Sequence, residues 1–192
     1  YQAAIDALNR AQANVERIAS TYHMRAQAHW LLKQYPDALA ALDQASKVFP
    51  DDYAFQRRKV FYLIDLGLYQ EAAEQGQEYL DRSDGGLEDY VAIGDALRRS
   101  GQVDRALRFL EIAKLRFPDD TLVSKVLAHA YIDKSSLHVA ADIIDAASRR
   151  DTALIPEAAE LYRRAGQVYR AMLLNSQVRD QDAKFKQRMA LL

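Results

Sequence analysis

Apolar and small residues recur along this chain at intervals of three and four, the spacing that places side chains on one face of an α-helix. Short polar breaks separate the stretches that carry this pattern, and no stretch alternates convincingly as a half-buried strand does. The chain holds only 7 glycines and 4 prolines, which disfavours turn-rich sandwiches and barrels. The pattern therefore predicts an all-α protein.

The helical pattern repeats with a period of 34 residues. The tetrapeptide Phe-Pro-Asp-Asp occupies residues 49–52 and again residues 117–120, and this separation of 68 residues is two periods. A period of this length predicts a helix-turn-helix solenoid. Ladders of similar residues keep the same step: Ala4, Ala38, Ala72, Ala106 and Ala140; Leu8, Leu42, Leu110 and Ile144; Ala11, Ala45, Ala113 and Ala147.

We interpret the repeated tetrapeptide as the joint between repeats. Proline lacks a backbone N–H and disfavours a helical residue before it, so Pro50 and Pro118 each end a helix. The aspartates that follow are suited to accept hydrogen bonds from the free N–H groups of the next helix. The equivalent joint at residues 83–86 reads Ser-Asp-Gly-Gly, and we expect it to be the least restrained point of the array.

The residues in these ladders resemble those of the tetratricopeptide repeat family. Residues 87–120 match its pattern best, with Gly101, Ala106 and Pro118 in the slots where the family has Gly, Ala and Pro. The resemblance implies a right-handed superhelical solenoid of antiparallel helix pairs, with about five repeats and partial helices at both ends. We expect residues 1–192 to form a single array, an excerpt of a longer protein: residues 1–18 are the second helix of a preceding repeat, residues 19–52, 53–86, 87–120, 121–151 and 152–182 are full repeats, and residues 183–192 start a further helix.

Two departures from the family pattern concern packing. Arg25 and Lys59 occupy the slot that the family fills with leucine, so either their helices are rotated or the long side chains extend out of the groove between helices. In the second repeat Gly76 stands where a large residue is expected, and Tyr79 stands where a small one is expected. We expect the Tyr79 ring to fill the space above Gly76.

Charge and composition argue against several classes of function. Lys and Arg (26) nearly balance Asp and Glu (27), which gives no electrostatic basis for binding nucleic acid. Without cysteine there is no thiolate catalysis or disulfide, and the 4 histidines lack the spacing of a metal site. No apolar run is long enough to span a membrane. We expect no cofactor, no bound metal and no enzymatic activity, and the compartment stays open between bacterial periplasm and cytoplasm.

In the tetratricopeptide family the first helix of each repeat, helix A, lines the concave ligand-binding face. The pair Arg98-Arg99 recurs as Arg163-Arg164 near the end of a helix A, where it either complements the helix dipole or binds an acidic group of a partner. Trp30 either packs between neighbouring helices or anchors a partner. The complete set of predicted partner-binding residues is Trp30, Arg57, Phe61, Asp95, Arg98, Arg99, Lys125, His129, Arg163 and Arg164.

The resemblance implies a scaffold that binds another protein or a peptide segment along the concave helix-A face. The lysine and asparagine clamp of chaperone-binding family members is absent. One alternative is a periplasmic scaffold of a bacterial exopolysaccharide export complex that recruits a polymer-modifying enzyme, which the alanine-rich, cysteine-free sequence resembles in style. A second alternative is direct binding of an acidic polymer or saccharide by the arginine pairs and the groove aromatics.

Overall fold

A computed structural model describes residues 1–14 and 19–189 of the chain. Within these ranges the chain forms eleven α-helices and no β-strand. The predicted all-α helical repeat fold is therefore confirmed. The helices are α1 (Gln2–Asn14), α2 (Ala19–Leu31), α3 (Tyr35–Val48), α4 (Ala54–Asp65), α5 (Tyr69–Arg82), α6 (Leu87–Arg99), α7 (Val103–Arg116), α8 (Thr121–Asp133), α9 (Leu137–Ser148), α10 (Ile155–Arg164) and α11 (Val168–Met189).

The chain separates into two compact units, residues 1–96 and residues 97–192. In the first unit α2 packs against α3, α3 against α4, and α4 against α5. In the second unit α7 packs against α8, α8 against α9, α9 against α10, and α10 against α11. Within each unit these consecutive helices are packed against one another, as in a solenoid whose repeats contact their neighbours.

The alanine ladder lies at the contacts between helices. Ala38, Ala72, Ala106 and Ala140 are completely buried, because their small side chains let neighbouring backbones approach closely. Bulky residues fill the remaining space of each unit. In the first unit these include Tyr22, Leu42, Phe55 and Tyr62; in the second they include Ile144, Leu154, Ile155, Leu161 and Tyr162.

Each Phe-Pro-Asp-Asp joint forms a hydrogen bond with the start of the helix that follows it. Asp120 Oδ1 accepts a hydrogen bond from the Val123 backbone N–H at 2.9 Å, and Asp52 Oδ1 accepts one from Ala54 at 3.1 Å. Each second aspartate satisfies an N–H group that the first turn of a helix leaves without a partner. The predicted capping role is confirmed at Asp120, whereas Asp52 lies one residue before Tyr53, the N-cap residue of α4, which has no side-chain cap.

Five helices end in a turn that needs a left-handed backbone. Gly67, Gly101 and Gly166 adopt φ values of 74°, 80° and 79°, and Lys33 and Ser135 occupy the equivalent place with φ values of 60° and 61°. This conformation is open to glycine but is strained for residues that carry a Cβ atom. Lys33 and Ser135 therefore hold local strain that the three glycines avoid.

Replacing Lys33 or Ser135 with glycine is expected to raise the free energy of unfolding by about 0.5–1 kcal/mol each, because relief of the strain exceeds the entropy that glycine adds to the unfolded chain. Urea denaturation followed by circular dichroism measures the change. Gly67→Ala is the matched control and is expected to lose about 1 kcal/mol, with strain as the sole cause because nothing lies within 4 Å of an added Cβ. Destabilisation by Lys33→Gly would contradict the strain assignment.

The two basic residues in the leucine slot extend toward α3. Arg25 is buried, and its Nη2 donates to Gln44 Oε1 at 2.5 Å. Lys59 Nζ donates to Asp43 Oδ1 at 2.5 Å. Both long side chains thus reach polar partners on α3.

The structure corrects two expectations, one about packing at Gly76 and one about where a helix starts. Ile93, rather than Tyr79, fills the space above Gly76: a Cβ atom on Gly76 would lie 2.5 Å from Ile93 Cγ1. The chain also does not start a separate helix at residue 183, because α11 continues without a break to Met189. Residues 190–192 of that expected helix lie outside the described residues.

Candidate functional site

Arg57 on α4 is the centre of a polar cluster in the first unit. Its Nε donates to Asp89 Oδ1 at 2.6 Å, and its Nη2 donates to Glu88 Oε2 at 2.9 Å. Its guanidinium also lies over the Phe61 ring, 4.8 Å from the centroid. Burial is the largest influence and disfavours the charged form of Arg57, but the hydrogen bonds and charges of Asp89, Glu88 and Tyr79 together outweigh it and raise the pKa of Arg57. Two predicted contact residues, Arg57 and Phe61, are thus already in contact with each other.

Asp89 is the buried member of this cluster and is missing from the sequence-predicted set. Only 3% of the residue is exposed, yet its carboxylate accepts hydrogen bonds from three sources. Besides Arg57, these are the Gly86 backbone N–H at 2.7 Å and the Tyr79 hydroxyl at 3.3 Å. A carboxylate at the third residue of a helix that accepts from the N–H of the residue just before the helix is one half of a capping box. This spacing is the sequence signal that could have identified Asp89.

Trp30 is packed between helices of the first unit. Its ring is stacked on Tyr62 of α4 with centroids 3.9 Å apart, and it lies 4.9 Å from the Tyr35 ring of α3. These contacts place one face of the indole against the core of the first unit. The packing interpretation of Trp30 therefore has direct support, while its role as an anchor stays a prediction.

His23 on α2 stacks on Phe55 in the same way, with ring centroids 4.1 Å apart. Burial and the neighbouring Arg58 charge lower the pKa of His23, so the neutral ring predominates at neutral pH. Its Nδ1 is buried and has no hydrogen-bond partner among the described residues. We assign His23 a packing role.

The two arginine pairs of the second unit are used differently, although their sequences match. Arg98 Nη1 donates to Asp133 Oδ2 on α8 at 2.9 Å, whereas Arg163 makes two hydrogen bonds to Glu160 on its own helix, at 2.6 and 2.7 Å. Arg99 and Arg164 are exposed. The guanidinium groups of Arg98 and Arg163 are therefore neutralised within the chain.

The α8 helix carries the remaining candidates of the second unit. His129 Nε2 lies 3.7 Å from Glu157 Oε1 on α10. Lys125, one turn before His129, forms neither a hydrogen bond nor an ion pair with any described residue. Leu122 lies three residues before Lys125, and 53% of it is exposed.

Asp95, the last of the predicted contact residues, lies on α6. It is half-buried and has a partner within the chain.

Residues 23–86 match a model of the tetratricopeptide repeat family. Residues 23–86 therefore have the sequence of tetratricopeptide repeats. The predicted family is thus confirmed by sequence over residues 23–86, and the fold carries the likeness over most of the chain. Among curated proteins no match is found.

Solved tetratricopeptide repeat structures resemble this chain. MamA 41-end from Desulfovibrio magneticus RS-1 superposes with a TM-score of 0.71 at 19% identity, over 86% of this chain and 96% of that one. YrrB, described as a TPR protein with an unusual peptide-binding site, has a TM-score of 0.70 at 17% identity, over 92% of both chains. TTC0263, a thermophilic TPR protein in Thermus thermophilus, has a TM-score of 0.55 at 20% identity, over 91% of this chain and 99% of that one. At these identities the likeness shows the fold.

The predicted repeat boundaries make α2, α4, α6, α8 and α10 the A helices. The side-chain contacts of Arg57, Arg98 and His129 each join one predicted helix A to the next. No described helix is both long and apolar enough to cross a bilayer. Within the described ranges, no three His, Asp or Glu side chains are grouped to hold a metal ion.

Proposed function

We propose that this protein is a non-enzymatic scaffold that binds a segment of a partner protein along its A helices. The proposal is based on α8, where some side chains contact neighbouring helices and others have no partner among the described residues. Asp133 and His129 pair with neighbouring helices, while Leu122 and Lys125 on the same helix are left to contact another molecule. Ion pairs between successive A helices fix the surface in advance, which lowers the entropic cost of binding.

The chemistry of this pair of residues indicates the kind of segment that fits. Side chains three residues apart lie next to each other on a helix, so Leu122 offers apolar surface beside the Lys125 ammonium. A partner segment with an acidic residue close to an apolar one complements both groups. Arg98 and Arg163 already have carboxylate partners within the chain, so they give no support to binding of an acidic polymer.

Photo-crosslinking tests this proposal. A photoreactive amino acid at Leu122 is expected to form an adduct with the partner. The control position is Ile112, which is similarly exposed at 59% but lies on α7, the second helix of its predicted repeat, and there the same group is expected to form no adduct. Adding Lys125→Glu to the Leu122 variant should weaken the adduct about tenfold, because like charges then face each other. Equal labelling from both positions, or labelling indifferent to Lys125→Glu, would overturn the assignment of this surface.

A further inference from the structure

A cavity of about 460 Å³ lies between α3, α4 and α5. We propose that it is a binding site for a primary ammonium group, carried by a lysine side chain of a partner protein. The lining of this cavity includes neither Leu122 nor Lys125 nor the ion pairs between A helices. A test of this site is therefore independent of a test of the proposed function.

The second unit contains the repeat-equivalent cavity, of about 360 Å³, between α7, α8 and α9. There the chain supplies its own ammonium group. Lys114 Nζ donates to Ser124 Oγ at 2.6 Å and to the Pro118 carbonyl oxygen at 2.7 Å, and Ser124 is only 1% exposed. An ammonium group carries three donors and no acceptor, which suits a site built from oxygen atoms.

In the first cavity the same acceptors are present without the lysine. Ser46 occupies the place of Lys114, 68 residues earlier, and its hydroxyl donates to the Leu42 carbonyl oxygen of its own helix. Gln56 occupies the place of Ser124, and its buried Oε1 has no hydrogen-bond partner among the described residues. A buried acceptor without a donor is costly, so a donor that enters this cavity gains a bond that no described side chain makes.

A carboxylate at this cavity favours a charged donor over a neutral one. Glu78 lines the cavity where its equivalent in the second unit is Ala146, and it has no partner among the described residues. Of the cations around it, Lys59 is neutralised by Asp43 at 2.5 Å, and the Arg82 guanidinium lies over the Tyr53 ring. Lys47, the remaining cation of the lining, is exposed. Gln56 Oε1 therefore takes the place of Ser124 Oγ, and Glu78 adds a carboxylate that the second cavity lacks at this position.

Nuclear magnetic resonance titration of the whole chain tests this site. The probe is Nα-acetyl-lysinamide, and its Nε-acetylated form is the neutral control. Amide shifts near Ser46, Gln56 and Gln75 are expected with the lysine probe and not with the control, at the millimolar affinity typical of a single small group. Gln56→Leu and Glu78→Gln should each weaken binding about tenfold. Equal shifts with the neutral control would overturn the proposal.

The internal lysine provides two reciprocal variants. Ser46→Lys installs the equivalent of Lys114 and is expected to abolish probe binding, because the cavity is then filled by the chain itself. Lys114→Ser empties the second cavity and should add a second set of shifts near Ser124. Unchanged binding in Ser46→Lys would refute the site. Binding that appears only after Lys47→Ala would also refute it, because Lys47 would then be the natural occupant.

Discussion

Replacing Asp89 with alanine is expected to lower the free energy of unfolding of the first unit by about 3 kcal/mol. The substitution removes one carboxylate on which three donors converge: Arg57, Tyr79 and the Gly86 backbone N–H. Of these donors, Tyr79 is the buried one at only 8% exposure, so the loss of its bond leaves an unsatisfied polar group rather than a hydrated one. The loss of the helix cap at Gly86 adds to this cost. Urea denaturation measures the change.

Glu88→Ala is the matched control for this prediction. Glu88 bonds the same guanidinium as Asp89, but 79% of its side chain is exposed, and an exposed ion pair contributes at most about 1 kcal/mol. Asp89→Asn keeps an acceptor oxygen for Gly86 and Tyr79, so its loss in the free energy of unfolding should lie between those of Glu88→Ala and Asp89→Ala. If Glu88→Ala costs as much as Asp89→Ala, burial is not what makes the Asp89 contacts strong.

The same variant tests the joint at residues 83–86, which the sequence indicated as the least restrained of the array. Two hydrogen bonds are formed at this joint: the Gly86 N–H donates to Asp89, and the Ser83 hydroxyl donates to the Tyr79 carbonyl oxygen at 2.9 Å. Hydrogen exchange at the Gly86 amide is expected to accelerate in Asp89→Ala, because its acceptor is gone. Unchanged exchange at Gly86 would show that the remaining packing is enough to hold the joint.

Gly76→Ala is expected to destabilise the first unit by about 2 kcal/mol, although alanine forms helices more readily than glycine by about 1 kcal/mol. The new Cβ atom would lie 2.5 Å from Ile93 Cγ1 and 2.8 Å from Ile93 Cδ1. Ile93 is only 1% exposed and is β-branched on a helix, so it has little room and few rotamers with which to move away. The clash therefore exceeds the gain in helix propensity.

A double-mutant cycle separates these two effects. In an Ile93→Ala background the clashing atoms are absent, so adding Gly76→Ala should raise stability by about 0.5–1 kcal/mol. The sign of the Gly76→Ala effect thus reverses between the two backgrounds. Stabilisation by Gly76→Ala in the unmodified chain would show that Ile93 yields at little cost.

Residues whose role is set within one repeat were predictable from the sequence. Ala38 and Ala106 are buried because a helix pair needs a small residue at that step, and the 34-residue spacing shows the step directly. Asp120 caps α8 because a cap depends on residues adjacent in the chain. The period and the local order of residues contain all the information needed for both.

Residues whose role depends on the offset between helices were not predictable. Arg57 and Asp89 are 32 residues apart, and a repeat period does not show how far one helix is shifted along the next. For the same reason the sequence placed Tyr79 above Gly76, where Ile93 lies. For the candidate site, the sequence could not predict the role of Trp30. A single aromatic residue on a helix A suits stacking on Tyr62 and anchoring a partner equally well.

The Asp89 contacts have a consequence for how the first unit unfolds. In a linear array, stability is close to a sum of repeat terms and nearest-neighbour couplings, and weak couplings let the ends fray one repeat at a time. Asp89 bonds to Arg57 and Tyr79, which lie on two different helices of the preceding repeat. One side chain thereby strengthens the coupling across a whole repeat boundary, so residues 53–96 are expected to melt together as one cooperative block.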